Sequence, residues 1–143
     1  NIWAYVQGEM IGTRALHYRL TRDRRSLERA EGIARQTLAT FGAFVSHPPP
    51  FNAMCFQALL FLSSLTGDSG LRTAIRQTIA AYADWAWDAD SGARDTHTNL
   101  FHFTSAGTPA LGAGQPAYLQ DQGAMLQVYA LLAWDPATYP KLT

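Results

Sequence analysis

A turn that occurs twice constrains the fold of this chain most: Leu20-Thr21-Arg22-Asp23 returns as Leu65-Thr66-Gly67-Asp68, roughly 45 residues later. Each copy joins a largely apolar segment to an amphipathic one. Beyond the turns, and with a one-residue slip, Leu27, Ala30, Leu38 and Phe41 align with Leu71, Ala74, Tyr82 and Trp85. A period of that length, made of buried helix, tight turn and outer helix, marks a helical-hairpin array.

Apolar spacing predicts an all-α chain of about five helices. The first runs from Trp3 to Leu20, with Val6, Met10, Leu16 and Leu20 on one face and Ile11, Ala15 and Tyr18 on the next. The second, Arg24 to Phe41, carries Leu27, Ala30, Ala34, Leu38 and Phe41 on one stripe and its charges elsewhere. Gly42 to Pro50 ends in three prolines and is expected to be loop, because proline lacks the N–H donor. The third helix, Phe51 to Leu65, holds no charge and should be buried on most sides. The fourth, Leu71 to Trp87, directs Leu71, Ala74, Ile75, Ile79, Tyr82 and Trp85 or Ala86 inward. A Gly-, Thr- and Ser-rich segment with a short extended stretch at Asn99 to Phe103 leads to the fifth helix, Tyr118 to Trp134. That helix reads Leu119, Met125, Leu126, Tyr129, Leu131 and Leu132 before Asp135-Pro136 stops it.

Two architectures fit these hairpins, an open solenoid or a closed double ring of inner and outer helices. Open repeats usually end on a polar capping unit, whereas an apolar fifth helix without an outer partner favours part of a toroid. With no initiator Met and a helix starting within a few residues, the expectation is the C-terminal part, residues 1–143, of one toroid domain. Such a piece would expose apolar helix faces and pair with its missing N-terminal half or with a second copy.

Eleven basic residues balance eleven acidic ones, which gives no electrostatic reason to expect nucleic acid or an anionic membrane as partner. No apolar run approaches the ~20 residues that span a bilayer. Cys55, the only cysteine, lies in an apolar run and reads as a small buried hydrophobe.

Three expected inner helices open with amides or carboxylates beside aromatic rings: Tyr5, Gln7 and Glu9; Phe51 and Asn52; Tyr118, Gln120, Asp121 and Gln122. Aromatic faces stack on sugar C–H surfaces, and amides and carboxylates bind adjacent hydroxyls, so the mix suits a carbohydrate. The alternative is that these groups cap helices and knit neighbours together, the preferred reading for Glu9. Glycoside hydrolysis needs two carboxyl groups about 5 Å apart for retention or roughly 6.5–9.5 Å apart for inversion. Asp84 and Asp88 share a helical face but close an outer helix, where solvated helix-end polarity explains them better. Asp95, His97 and His102 match no established zinc spacing and read as loop polarity. Ser63, Ser64, Ser91 and Ser105 lack a nucleophile elbow, and no Gly-rich strand–helix turn is present to hold phosphate. No metal, cofactor or catalytic residue is assigned.

Trp3 to Gly12, followed by Leu16 to Asp23, resembles the Tyr-Asn-Gln-Gly element and Thr-Gly-Asp turn of glycoside hydrolase family 76. The likeness continues through Ala30 to Ala34, Pro49 to Ala53, Leu119 to Met125 and Tyr129 to Trp134. The resemblance implies an (α/α)6 toroid acting as an endo-α-1,6-mannanase, secreted or at the cell surface, on mannan-type oligosaccharide or polysaccharide. It also implies that Tyr5, Gln7, Asn52, Asp121 and Gln122 line the mannan cleft or its floor, with Phe101 a weaker stacking candidate. Val6 stands where the family usually has Asn. The family's catalytic pair, two adjacent aspartates in the N-terminal half, has no counterpart, because the chain contains no Asp-Asp dipeptide.

Overall fold

A computed structural model describes residues 3–114 and 116–133. They form α1 (Ala4–Thr21), α2 (Arg24–Phe41), α3 (Pro49–Ser63), α4 (Ser69–Trp87), a short 3-10 turn (Ala89–Ser91) and α5 (Leu119–Ala133). The fold is all-α. The extended stretch at Asn99 to Phe103 is reduced to isolated bridges, Arg94 with Phe101 and Phe103 with Pro109. Trp134 and the Asp135-Pro136 stop lie outside the described residues.

Among the described residues the expected boundaries hold within two residues, and α3 teaches most where they shift. Pro49 and Pro50, expected in the loop, instead form its first turn. The first N–H groups of a helix have no intrahelical acceptor, so proline loses nothing there and its fixed φ suits the helix.

The repeated turn works through one device in both copies. The Asp23 N–H donates to Thr21 Oγ1 at 3.2 Å, and the Asp23 carboxylate accepts from the Arg25 N–H at 3.1 Å to cap α2. Likewise the Asp68 N–H donates to Thr66 Oγ1 at 3.1 Å, and its carboxylate accepts from the Leu71 N–H at 2.9 Å to cap α4. The copies differ in length. Two residues separate α1 from α2, with Arg22 left-handed at φ 62°, whereas five separate α3 from α4. The second turn also receives the outer helix of the first hairpin: Arg35 reaches Asp68 at 2.6 Å, and the Thr66 hydroxyl donates to Glu31.

α3 lies between α1 and α5, while α2 and α4 pack outside them, so the hairpins form an inner row of three and an outer pair. Gly8 and Gly12 of α1 face Cys55 and Ala58 of α3, and Pro48 at the start of α3 shares a pocket with Tyr118 and Asp121 at the start of α5, so the three inner helices run parallel. α1 and α5 do not pack on each other.

The inner faces differ from their expected composition. α1 buries Ala4, Gly8, Ile11 and Ala15, leaving Met10, Leu16 and Leu20 exposed. The cause is close approach: a Cβ on Gly8 would stand 2.7 Å from Cys55 Cα. Only glycine fits at that crossing, while Ile11 is buried on the same helix and Met10, Leu16 and Leu20 stand exposed. α5 buries Asp121, Ala124, Met125 and Val128, while Leu119 and Leu126 are 86% and 71% exposed. α4 turns Ala86 inward and leaves Trp85 half-buried. Cys55 lies fully inside, and burial pushes its thiol up to about 12.

Candidate functional site

Three parallel inner helices place their N-terminal ends at one mouth of the fold. There α5 contributes Tyr118, Gln120 and Asp121, the connection entering α3 contributes Pro48, and the long loop contributes Thr104 and Ser105. Together they line an open pocket of about 270 Å3.

Two contacts hold the loop in place. Gly107, at φ 86°, passes so close to His47 and Pro48 that a Cβ would lie 2.1 Å from His47 C. The turn carrying it closes through Gly107 N–H to Thr104 O at 2.8 Å and Thr104 N–H to Thr108 O at 2.9 Å. Farther along, the Gln122 amide clasps Phe101 on both sides, its Oε1 accepting from the Phe101 N–H at 2.9 Å and its Nε2 donating to Phe101 O at 2.8 Å. The loop therefore forms a fixed wall of the pocket.

Asp121 is only 4% exposed, yet its carboxylate has no hydrogen bond or ion pair among the described residues. It stands in the first turn of α5, where an acidic side chain commonly folds back to cap the helix. Here it turns into the pocket. Burial raises its proton affinity above that of an ordinary aspartate, because the charged form loses hydration without gaining a partner. Beneath it, Tyr82 is buried beside Asn52, and burial pushes the phenol up while Asn52 partly offsets the rise. Among the described residues neither the Tyr82 hydroxyl nor the Asn52 carbonyl oxygen makes a hydrogen bond.

The structure distributes the other sequence candidates widely. Tyr5 leans on Phe51 with ring centroids 4.7 Å apart, and Trp3 meets the same ring edge-on at 5.5 Å, forming an aromatic corner at the α1 end of the mouth. Gln7 faces the other way, into a groove with Gln36, Thr37, Thr40 and Phe41 of α2. Asn52 is fully buried, and its Nδ2 donates to Phe44 O at 2.9 Å and His47 O at 3.2 Å, bracing the α2–α3 connection. Phe101 is core, stacked on Tyr129 at 6.2 Å and Phe103 at 6.5 Å. Asn52, Phe101 and Gln122 thus hold the walls, and Asp121 alone of the six opens into the pocket.

Glu9, expected as a structural hydrogen-bonding partner, is exposed, and its side chain makes no hydrogen bond or ion pair among the described residues. Asp88 caps the 3-10 turn by accepting from the Asp90 N–H at 3.1 Å, in keeping with helix-end polarity. Asp95 closes its own turn by accepting from the His97 N–H at 2.8 Å. Among the described residues no group of three His, Cys, Asp or Glu is placed to hold a metal, and no helix is long and apolar enough to cross a membrane.

Sequence reasoning missed Pro48, Thr104 and Ser105 because loop packing, which has no period, brings them to the site. Tyr118 and Gln120 stand in the opening of the fifth helix, and their place beside Asp121 was the available signal. Fold and site together define an all-α hairpin protein with a carboxylate-bearing pocket at the N-terminal mouth of its inner helices. No family model matches the chain, and neither a curated protein nor a solved structure matches it.

Proposed function

We propose that the chain supplies part of the sugar cleft of a glycoside hydrolase-like α/α toroid of the family 76 type. In this reading the parent protein hydrolyses α-1,6-linked mannan with two carboxylates, and that pair lies outside these 143 residues. The fold assignment within it rests on the hairpin array, and the substrate rests on the sequence resemblance. The observation that carries the binding role is the pocket at the mouth, where an unpartnered carboxylate, an amide, two hydroxyl side chains and a tyrosine ring converge. Such a set makes directional hydrogen bonds to hydroxyls beside an aromatic surface, as sugar recognition requires.

Calorimetric titration with α-1,6-mannotriose tests this directly. Saturable binding by the 143-residue chain, together with no release of shorter sugars, is the expected outcome. Failure of mannotriose to bind at millimolar concentration would reject the mannan assignment.

A second reading, a helical-repeat interaction module, is favoured by the exposed Leu119 and Leu126 on α5. Its signature would be peptide or protein capture sensitive to Leu126→Glu with no response to any sugar.

A further inference from the structure

We infer that Asp121 is the specificity-determining acceptor of the pocket and that it grips two adjacent hydroxyl groups of one sugar ring. This deepens the carbohydrate reading and rests on it, but it does not depend on the sugar being mannan.

A carboxylate buried to this degree is normally paired, since burying an unpartnered charge is costly. Capping would be the ordinary way for a first-turn acid to find a donor, and Asp121 makes no such bond among the described residues. The donors must come from what enters the pocket. A carboxylate offers two oxygens, and two neighbouring ring hydroxyls supply two O–H donors at matching spacing.

Two kinds of ligand carry suitable donors, a diol and an ammonium group. The surroundings favour the diol. Asp121 stands at the positive end of the α5 dipole, which opposes a cation and suits the lone pairs of a hydroxyl. Ser105, Gln120 and Tyr118 are neutral groups that both donate and accept, and none makes a side-chain hydrogen bond among the described residues. An ammonium has no lone pair to offer their donors. A hydroxylated ring satisfies both roles while its C–H face lies near Tyr118.

The test compares wild type with Asp121→Asn, which keeps the shape and removes the charge, against α-1,6-mannotriose, N-acetylglucosamine, 2-deoxyglucose and methylammonium. Thermal melts check that both proteins are folded. Mannotriose is expected to bind wild type and to weaken about 10- to 100-fold in the variant, the range for a charge-assisted hydrogen-bonded pair. If mannotriose fails but another sugar binds with the same sensitivity, the mannan reading falls and the Asp121 assignment stands. Binding of any sugar that is unchanged in Asp121→Asn overturns the assignment, as does methylammonium binding ahead of every sugar. Absence of binding by the whole panel overturns both.

Discussion

The two ends of the inner row are attached to α3 by opposite means. α1 meets α3 backbone to backbone, with Gly8 over Cys55 and Gly12 against Ala58. α5 meets it through side chains, Met125 and Val128 in the core and Gln127 on Gln57, and is further tied down by the long loop. Both helices leave apolar side chains on their free flanks. The groove beside α1 is lined by Glu9, Met10, Thr13, Arg14 and His17, with Leu16 and Leu20 also exposed, and α5 exposes Leu119 and Leu126. At α5 the buried face is Ala124, Met125 and Val128 with Asp121 at its start, and the candidate site is built into the same end. The α1 end is therefore joined by close backbone approach, and the α5 end, joined by side chains and the long loop, carries the candidate site.

The largest effect should come from the contact that closes the pocket wall. Gly107→Ala would place a Cβ within about 2 Å of backbone atoms of His47 and Pro48 while holding an alanine at φ 86°. Neither strand of chain gives way without undocking, so the loss is estimated at ~3–5 kcal/mol from overpacking and backbone strain together. Urea denaturation should show this drop, and sugar binding should vanish even where the protein remains folded. A variant as stable as wild type would mean that the loop is not anchored there, and the contrast between the two ends would fail.

Next in size is the α1 seam. Gly8→Ala drives a Cβ to 2.7 Å from Cys55 Cα, forcing the helices apart at an expected cost of about 1–3 kcal/mol. Cys55 reports on that seam, because its buried thiol, with proton affinity pushed up to about 12, is shielded from thiol reagents. Labelling by a disulfide reagent at pH 8 should be slow in wild type and faster in Gly8→Ala, with the Asp121 pocket unaffected. Labelling that accelerates equally in Gly107→Ala would show that the two ends open as one unit.

The hairpins were legible in the sequence because their causes are local. Thr21-Arg22-Asp23 and Thr66-Gly67-Asp68 state a hydroxyl-to-amide turn and a helix cap in three residues each, and the 3.6-residue period states the amphipathic faces. The width of the buried face on α1 was not legible. Hydrophobic spacing assigns Met10 and Leu16 to a core beside Ile11 and Ala15, and only the approach distance of a second helix decides that Gly8 joins the latter pair and Met10 and Leu16 stay exposed. The site divided along the same line. Asp121 was readable as a polar residue at a helix start, but Asn52 and Gln122 carry the same chemical signature and are committed to loop carbonyls and amides. No pattern along the chain separates an amide that grips a ligand from one that grips its own backbone.

The smallest expected effect sharpens the comparison through pH. The proton affinity of Asp121 is raised by burial above the ordinary aspartate value of 3.8, so its neutral form is the one the fold prefers. Below that value the group is protonated both folded and unfolded, and it costs nothing. As pH rises through the folded value, an unpartnered charge is buried and stability falls relative to a neutral side chain. Asp121→Asn should therefore match wild type near pH 3 and exceed it at pH 7, by on the order of 1 kcal/mol. The hairpin turns carry the opposite sign. The Leu71 N–H and then Arg35 hold Asp68 below the usual carboxylate range, and the Ser26 hydroxyl does the same for Asp23, so their contribution is lost as pH falls. Chemical denaturation of wild type and variant from pH 3 to 7 separates the two, because only the Asp121 component disappears on substitution. If Asp121→Asn is less stable at neutral pH, the carboxylate has a partner within the protein, and its role as an open acceptor is lost.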